Sequence, residues 1–465
     1  MLRGCILAAL GVLIGCRPGA ETASHDEARA PGPVAVKPFR ISNPDWVLLI
    51  TGGTNGMLEV CNCVGPMPGG LARRSGLIRS YRAAFANTLL IDTGDVFWVE
   101  PEDLRNDFVL KGYARIGYDV VVLGDQEFAA NADRLRARTR VGGAKYLATT
   151  VTCGRDEFPR VALYRRGNRK LAVVSDLRRD AFRFVPPERT AELTLAEPSD
   201  LAERIGRLKK AGFLVVVAAH MEADTLEAAA AACDGDLILR GHTSRSDPKV
   251  RRIAGRPVVK VGGFETVGVV AIRADAGKIV DMEYRVEVVD TSWPLDRRLI
   301  QTYQAYAHAA MRKALDAPRR EGLAYVPSAV CGRCHRRQYA AWRAGPHARA
   351  YKGLVKARRT GDPNCLMCHT TGFGTKGGFL RIEKTPGLAA VNCQNCHRHN
   401  EAEHRRKGFT VPRVTKDICT TCHTPVTDPT FDFRRKLPTI RCPKGAPAKN
   451  AMENAIDFPE RLAGM

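Results

Sequence analysis

The sequence predicts two unlike halves: an α/β layered domain with a largely buried sheet, then a mostly α and coil domain with a thin core. Three observations predict this. Between residues 46 and 290, apolar runs of strand length alternate with segments of helical spacing, the pattern of a sheet covered on both faces. From about residue 325, cysteine, histidine and arginine take over and the apolar runs shorten, leaving little aliphatic bulk for an ordinary core. Inside that second stretch one five-residue pattern occurs four times. At 465 residues the chain is long enough for two or three domains.

The start of the chain reads as an address. Met1-Leu2-Arg3 is a short positive segment and residues 6–14 are apolar, too short to span a bilayer as a helix but suited to an export signal. Leu13-Ile14-Gly15-Cys16 resembles a bacterial lipobox. That resemblance implies cleavage before Cys16 and a lipid on its sulfur. Arg17 does not look like an inner-membrane retention signal. The expectation is an exported lipoprotein, anchored to the outer membrane and facing the periplasm or the cell surface. Residues 1–16 are then the leader. Residues 17–44, polar and broken by Pro31, Pro33, Pro38 and Pro44, are a flexible tether.

The α/β domain is expected over 45–290. Strands are expected at 46–51, 88–92, 119–123 and 146–152, with helices at 70–86, 104–116 and 132–139 between them. Leu71, Leu77, Ile78 and Tyr81 show the helical spacing of the first. Runs at 161–165 and 170–175 form a hairpin about Gly167-Asn168. A helix at 201–211, capped by Ser199 or Asp200, leads to a strand at 213–218. A helix at 223–233 leads to a strand at 237–239, and runs at 257–261, 267–273 and 278–288 close the domain in antiparallel style. Residues 291–324 are a linker containing a helix at 299–315.

The domain at 325–465 holds the repeated pattern: Cys331-x-x-Cys334-His335, Cys365-x-x-Cys368-His369, Cys393-x-x-Cys396-His397 and Cys419-x-x-Cys422-His423. This is the attachment pattern of c-type haem. Two thiols at that spacing can join the two vinyl groups of one porphyrin, and the next histidine supplies an iron ligand. Zinc fits less well, because each cysteine pair has its own histidine and the units stand alone. Four c-type haems are therefore expected, with His335, His369, His397 and His423 as proximal ligands. Their rings would supply the apolar bulk that the sequence lacks. His308, His347, His399 and His404 are the candidate distal ligands. If only three engage, one iron is five-coordinate. Covalent haem is attached outside the cytoplasm, in agreement with the leader.

The formal charge of +23 favours acidic redox partners or anionic lipid. No nucleic-acid motif accompanies it, so nucleic acid is set aside. Cys61 and Cys63 form a C-x-C pair before Gly69-Gly70. A disulfide is its plainest use outside the cytoplasm; a soft metal or an inert loop are the others. Cys153, Cys233 and Cys442 are further cysteines that could serve as mates. The pair Arg73-Arg74 reads as a solvated helix start.

Two family resemblances rest on these residues. Residues 325 to about 433 resemble the tetrahaem cytochrome c family that accepts electrons from hydroxylamine oxidation. The likeness lies in the four motifs, in Tyr339 and Trp342, in Gly345-Pro346-His347-Ala348, in Thr370-Thr371-Gly372-Phe373 and in His404. It implies that His347 and His404 are distal ligands to haems of other motifs, and that the haem at Cys365 and Cys368 is the open one. Arg398-His399-Asn400 departs from the family and makes His399 a rival to His404.

Residues 46–290 resemble the metallophosphatase domain of the 5'-nucleotidase type, within the calcineurin-like phosphoesterases. The likeness lies in residues 50–56 (ITGGTNG), Asp92-Thr93-Gly94-Asp95, Gly124-Asp125-Gln126-Glu127, His220 and Gly241-His242. Here Gly53 and Asn55 stand where the family has Asp and His, Gln126 stands for its catalytic His, and Ser244 for its last His. Asp95, Asp125, His220 and His242 remain as a relic site; the domain reads first as a metal-free scaffold and otherwise as able to hold one divalent metal weakly, not two. No catalytic residue is expected. The whole reads as an exported multihaem electron carrier. The alternative is a haem enzyme acting on a small nitrogen oxide or a peroxide at one open iron, and a phosphoesterase ranks last.

Overall fold

The computed structural model describes residues 32–61, 65–98, 103–129, 132–140, 143–154, 158–424, 427–428 and 430–443. The expected leader, Cys16, the first part of the tether and Cys63 lie outside them.

The first half is built on two six-stranded sheets. One contains β1 (Trp46–Thr51), β2 (Thr88–Asp92), β3 (Val120–Val122) and β4 (Lys145–Leu147). A two-stranded sheet follows, made of β5 (Val151–Cys153) and, after the hairpin β6 (Ala162–Arg166) and β7 (Arg169–Leu177), of β8 (Leu193–Leu195). Then come β9 (Leu214–His220), β10 (Leu237–Arg240), β11 (Asp247–Ile253), β12 (Arg256–Lys260), β13 (Thr266–Asp275) and β14 (Lys278–Val288). The large sheets run β14-β13-β1-β2-β3-β4 and β11-β12-β10-β9-β7-β6. In the first, β1 to β4 are parallel, and β13 joins β1 antiparallel with Leu48 opposite Val270.

The strand sequences explain the layering. Trp46, Leu48 and Ile50 meet Val173, Val216 and Leu239 of the second sheet in one core. Val47 and Leu49 point the other way, onto α1 (Leu71–Ala84) and α2 (Asp103–Ile116). The period-two geometry of a strand sends alternate residues to opposite faces; both faces are buried here, so every position from Trp46 to Ile50 is apolar. On the outer face of the second sheet, α3 (Ala132–Thr139) and the short α4 (Pro187–Thr190) take no part. That face is covered by α5 (Pro198–Lys210) and α6 (Ala223–Ala232), through Leu201, Ile205 and Leu226.

Three expectations need correction. The strand expected over 146–152 is two strands in different sheets, because Thr149 and Thr150 turn their hydroxyls to backbone groups of Arg160 and Leu177. The cap of α5 is Glu197, neither Ser199 nor Asp200. Pro198 takes the first helical position, where its fixed φ fits and its missing N–H costs nothing. Arg74 is fully buried, not solvated. Its guanidinium donates to Thr54 Oγ1 at 2.8 Å, Tyr118 Oη at 3.3 Å and Phe264 O at 3.1 Å.

The halves meet at α7 (Arg297–Asp316), which is capped by Asp296. Leu299, Tyr303 and Tyr306 join the core under β1. Met311, further along, packs with Tyr351, Leu354, Leu366, Phe379 and Leu388 in the small core of the second half. That half has short helices: α8 (Ser328–Gly332), α9 (Arg336–Ala344), α10 (Ala350–Ala357), α11 (Pro363–His369), α12 (Cys393–His397), α13 (Glu401–His404), α14 (Lys416–Thr420) and α15 (Phe433–Ile440). Among the described residues no helix is long and apolar enough to cross a membrane.

Candidate functional site

Each C-x-x-C-H unit is wound as about one helical turn. His335 N donates to Cys331 O at 2.9 Å and His423 N to Cys419 O at 2.9 Å; the other two units lie within α11 and α12. Residues at i, i+3 and i+4 share one helix face, so both thiols and the imidazole of a unit are presented together. Local side chains start these turns. Asp362 caps α11 by accepting from Asn364 N at 2.9 Å. At the start of α12 Asn395 Oδ1 accepts from Asn392 N at 2.9 Å.

The fold sets the units in pairs. The Cys331 thiol contacts that of Cys393, and the Cys368 thiol contacts that of Cys422. The first motif therefore lies beside the third, and the second beside the fourth. His335 Nε2 stands 3.2 Å from His404 Nε2. The rings of His347 and His423 are 6.3 Å apart. His399 stacks on His404 at 4.9 Å and lies 6.4 Å from His397. His308 is on an exposed face of α7 against Gly361.

The residues fit haem. His423 Nδ1 bonds Asp428 Oδ2 at 2.8 Å and His369 Nδ1 donates to Ala350 O at 2.7 Å. Such partners fix the tautomer that leaves Nε2 for iron. His397 Nδ1 and His404 Nδ1 are buried with no hydrogen-bond partner among the described residues, so the chain fixes neither of these tautomers. Burial and neighbouring histidines hold His397 and His404 below the ordinary range, so both are neutral, the form that ligates metal.

A second cluster lies at the strand ends of the first half. Asp95 follows β2, Asp125 follows β3, His220 ends β9 and His242 follows β10. Their ligand atoms lie within 4.8 Å of one another. His220 Nε2 is 3.0 Å from Asp125 Oδ1 and 3.3 Å from Asp95 Oδ1. His242 Nδ1 is 3.2 Å from Asp125 Oδ1 and 3.6 Å from Asp95 Oδ2. Asp95 is held in the left-handed region at φ 59°. Burial opposes charge on both histidines, yet the carboxylates outweigh it: His220 is held well above its ordinary range and His242 is raised to about 9. His220 Nδ1 donates to Thr93 O at 2.8 Å, leaving Nε2 for a ligand. Two imidazoles and two carboxylates aimed at one point could hold a divalent metal.

The residues for a second ion are absent. Gln126 Nε2 donates to Asn55 Oδ1 at 2.9 Å, and Asn55 Nδ2 donates to Gly53 O at 3.0 Å. Amides bonded to each other supply no charged ligand. Glu127 plays a part that the sequence reading missed. Its carboxylate accepts from the backbone N–H of Asp95, Val96, Phe97 and Gly124, and so fixes the loop carrying Asp95. The signal was its place as the last acidic residue of the third motif.

The first half has the fold of solved 5'-nucleotidase-type phosphoesterases, and part of the second half is similar to c-type cytochromes. Residues 330–398 match the family "Cytochrome c554 and c-prime". The chain is 33% identical over 96 residues to cytochrome c-554 of Nitrosomonas europaea, covering 17% of this chain and 41% of that one. It is 29% identical over 153 residues to a 5'-nucleotidase of Vibrio parahaemolyticus, covering 30% of this chain and 27% of that one. It thus spans less than half of either curated relative. In three dimensions it is similar to the Thermus thermophilus sulfate thiohydrolase SoxB, with a TM-score of 0.52 and 20% identity, covering 61% of this chain and 63% of that one.

Proposed function

We propose that this protein is an exported electron carrier. Four c-type haems are held by the four cysteine pairs, with His335, His369, His397 and His423 as proximal ligands. Lipid on Cys16 tethers it to a membrane, and its positive charge suits acidic redox partners. The observation that carries the reading is the meeting of His335 and His404, two imidazoles that a modest opening of their contact would set on either side of one iron, beside three further one-turn C-x-x-C-H units. His347 is the distal partner of His423. Bound haem supplies one-electron chemistry. This chain's own residues anchor it, fix its ligand tautomers and, through the paired motifs, bring the attachment points together. The first half acts as a scaffold or docking module, with Asp95, Asp125, His220 and His242 able to hold one divalent metal. The test is intact mass with a pyridine haemochrome count on the exported protein. Four haems per chain are expected, and fewer than four sink the reading.

One observation favours a second reading. His369 is paired with no second imidazole among the described residues, whereas the rings of His335, His397 and His423 each have one nearby. An open iron there suits a small nitrogen oxide or a peroxide.

A further inference from the structure

The outer face of the second sheet carries a charged recess that neither site uses. It lies where α6 crosses β10, β11 and β12 and measures about 120 Å³. Arg240, Lys249, Arg251, Lys260 and Glu227 line it. The strands bring the cations together. Arg240 of β10 is the register partner of Lys260 of β12. Arg251 of β11 pairs with Val258, two residues before Lys260. Alternate residues of a strand share a face, so Arg240, Arg251 and Lys260 project on the side of Val258, which packs with Ile238 and with Leu226 of α6.

Like charges side by side on neighbouring strands repel, and the chain offsets them only in part. Arg240 is half-buried, and its Nε is buried with no hydrogen-bond partner among the described residues. Burial, and then the charge of Arg251, hold the Arg240 guanidinium below its ordinary range, with Glu222 pulling the other way. Glu222 is shared, since its Oε1 lies 3.6 Å from His242 Nε2. Asp247 is engaged at the rim, where its Oδ2 accepts from Arg251 Nη2 at 3.2 Å and its Oδ1 from Lys249 N at 3.0 Å.

We propose that this recess binds a tetrahedral oxyanion, phosphate or sulfate, either free or borne by a larger molecule. Guanidinium forks and ammonium groups converging from three strands match an anion whose charge is spread over several oxygens. A carboxylate, with two oxygens in one plane, would meet fewer of them. The bound anion relieves the repulsion between Arg240 and Lys260, and so stabilises the folded first half.

The test uses the full haem-loaded chain. Titration calorimetry with inorganic phosphate and with sulfate should find one saturable site per chain. Arg240→Gln should weaken it about tenfold. Lys210→Gln removes the same charge from an exposed position at the end of α5 and should leave binding unchanged, which separates a built site from the general pull of a chain of net charge +23. In case Arg240→Gln folds poorly, Lys260→Gln should weaken binding several-fold, and phosphate should raise the wild-type melting temperature more than chloride at equal ionic strength. Sedimentation with phosphatidylcholine vesicles carrying phosphatidic acid tells the two sources apart. Vesicle binding that phosphate competes away, and that Arg240→Gln loses while Lys210→Gln keeps it, assigns the anion to a lipid headgroup. Phosphate binding without that loss assigns it to the free ion. No saturable binding in either arm, or equal weakening by Arg240→Gln and Lys210→Gln, overturns the proposal.

Discussion

His335 and His404 face each other through their Nε2 atoms, 3.2 Å apart, although 69 residues separate them. One ring comes from the first C-x-x-C-H unit and the other from α13, so the fold brings a histidine from beyond the third motif against the first. His404→Ala should remove one axial ligand. In the EPR spectrum of the oxidised protein, one haem equivalent of low-spin signal should become high-spin. No change would mean that His399, stacked on His404 at 4.9 Å, is the ligand.

The ring of His347 makes the matching case for the fourth motif. It lies 6.3 Å from that of His423, and Trp342 Nε1 donates to Val391 O at 2.9 Å close by. Burial, followed by the charge of His423, holds His347 below its ordinary range, so it offers a lone pair at neutral pH. His347→Ala should convert a different haem equivalent to high-spin. The effect should add to that of His404→Ala, since the two rings lie against different motifs.

The hydrogen bond from Gln126 to Asn55 at 2.9 Å decides the chemistry of the first half. It occupies positions where a dinuclear site needs imidazoles, so hydrolysis of a chromogenic phosphate ester with manganese should show no metal-dependent turnover. Titration calorimetry with manganese or zinc should find no more than one ion per chain, lost in His220→Ala. Two ions, or turnover, would contradict the structure.

What could be read from the sequence follows from what the physics made local. The run WVLLIT is legible because β1 is buried on both faces. β11 is not, because DPKVRRI is a largely exposed edge strand with no apolar period. The haem attachment residues are legible because covalent chemistry fixes their spacing. Which motif His404 or His347 meets is not, because His335 meets His404, and His423 meets His347, only through the fold. Arg74 resembled a surface cation; its burial depends on Thr54, Tyr118 and Phe264, three segments that no local pattern connects.

Asp296 ties α7 to the first half and gives a stability prediction. It accepts from Arg298 N at 3.1 Å, from Arg298 Nη2 at 3.1 Å and from Ser75 Oγ at 2.9 Å. Burial raises its carboxyl, but Arg298 and Ser75 outweigh that and hold it below the ordinary range. Asp296→Ala should cost about 1 kcal/mol from the lost cap, read by thermal melts at pH 7. A depressed folded-state pKa means that the folded chain binds fewer protons there. The contribution is therefore complete above the unfolded value of about 4 and is lost as pH falls through the folded value. The gap between wild type and variant should close in acid.

An iron held at Cys365 and Cys368 would give the sharpest division between carrier and enzyme. His369 Nδ1 is fixed by Ala350 O at 2.7 Å, so its Nε2 is set for iron. Gly372 and Gly374, just after the motif, take positive φ and carry no side chain that could ligate. Thr370 and Thr371 are buried, their hydroxyls bonded to Leu366 O and Ala390 O at 2.7 Å each. A five-coordinate ferrous iron takes carbon monoxide, whereas bis-histidine irons resist it. Carbon monoxide should therefore shift the absorption of one haem equivalent in the reduced protein. Replacing Cys365 and Cys368 by Ser should remove both that haem and the shift. If carbon monoxide leaves the spectrum unchanged, a sixth ligand closes this iron too, and electron transfer is the only reading left to it.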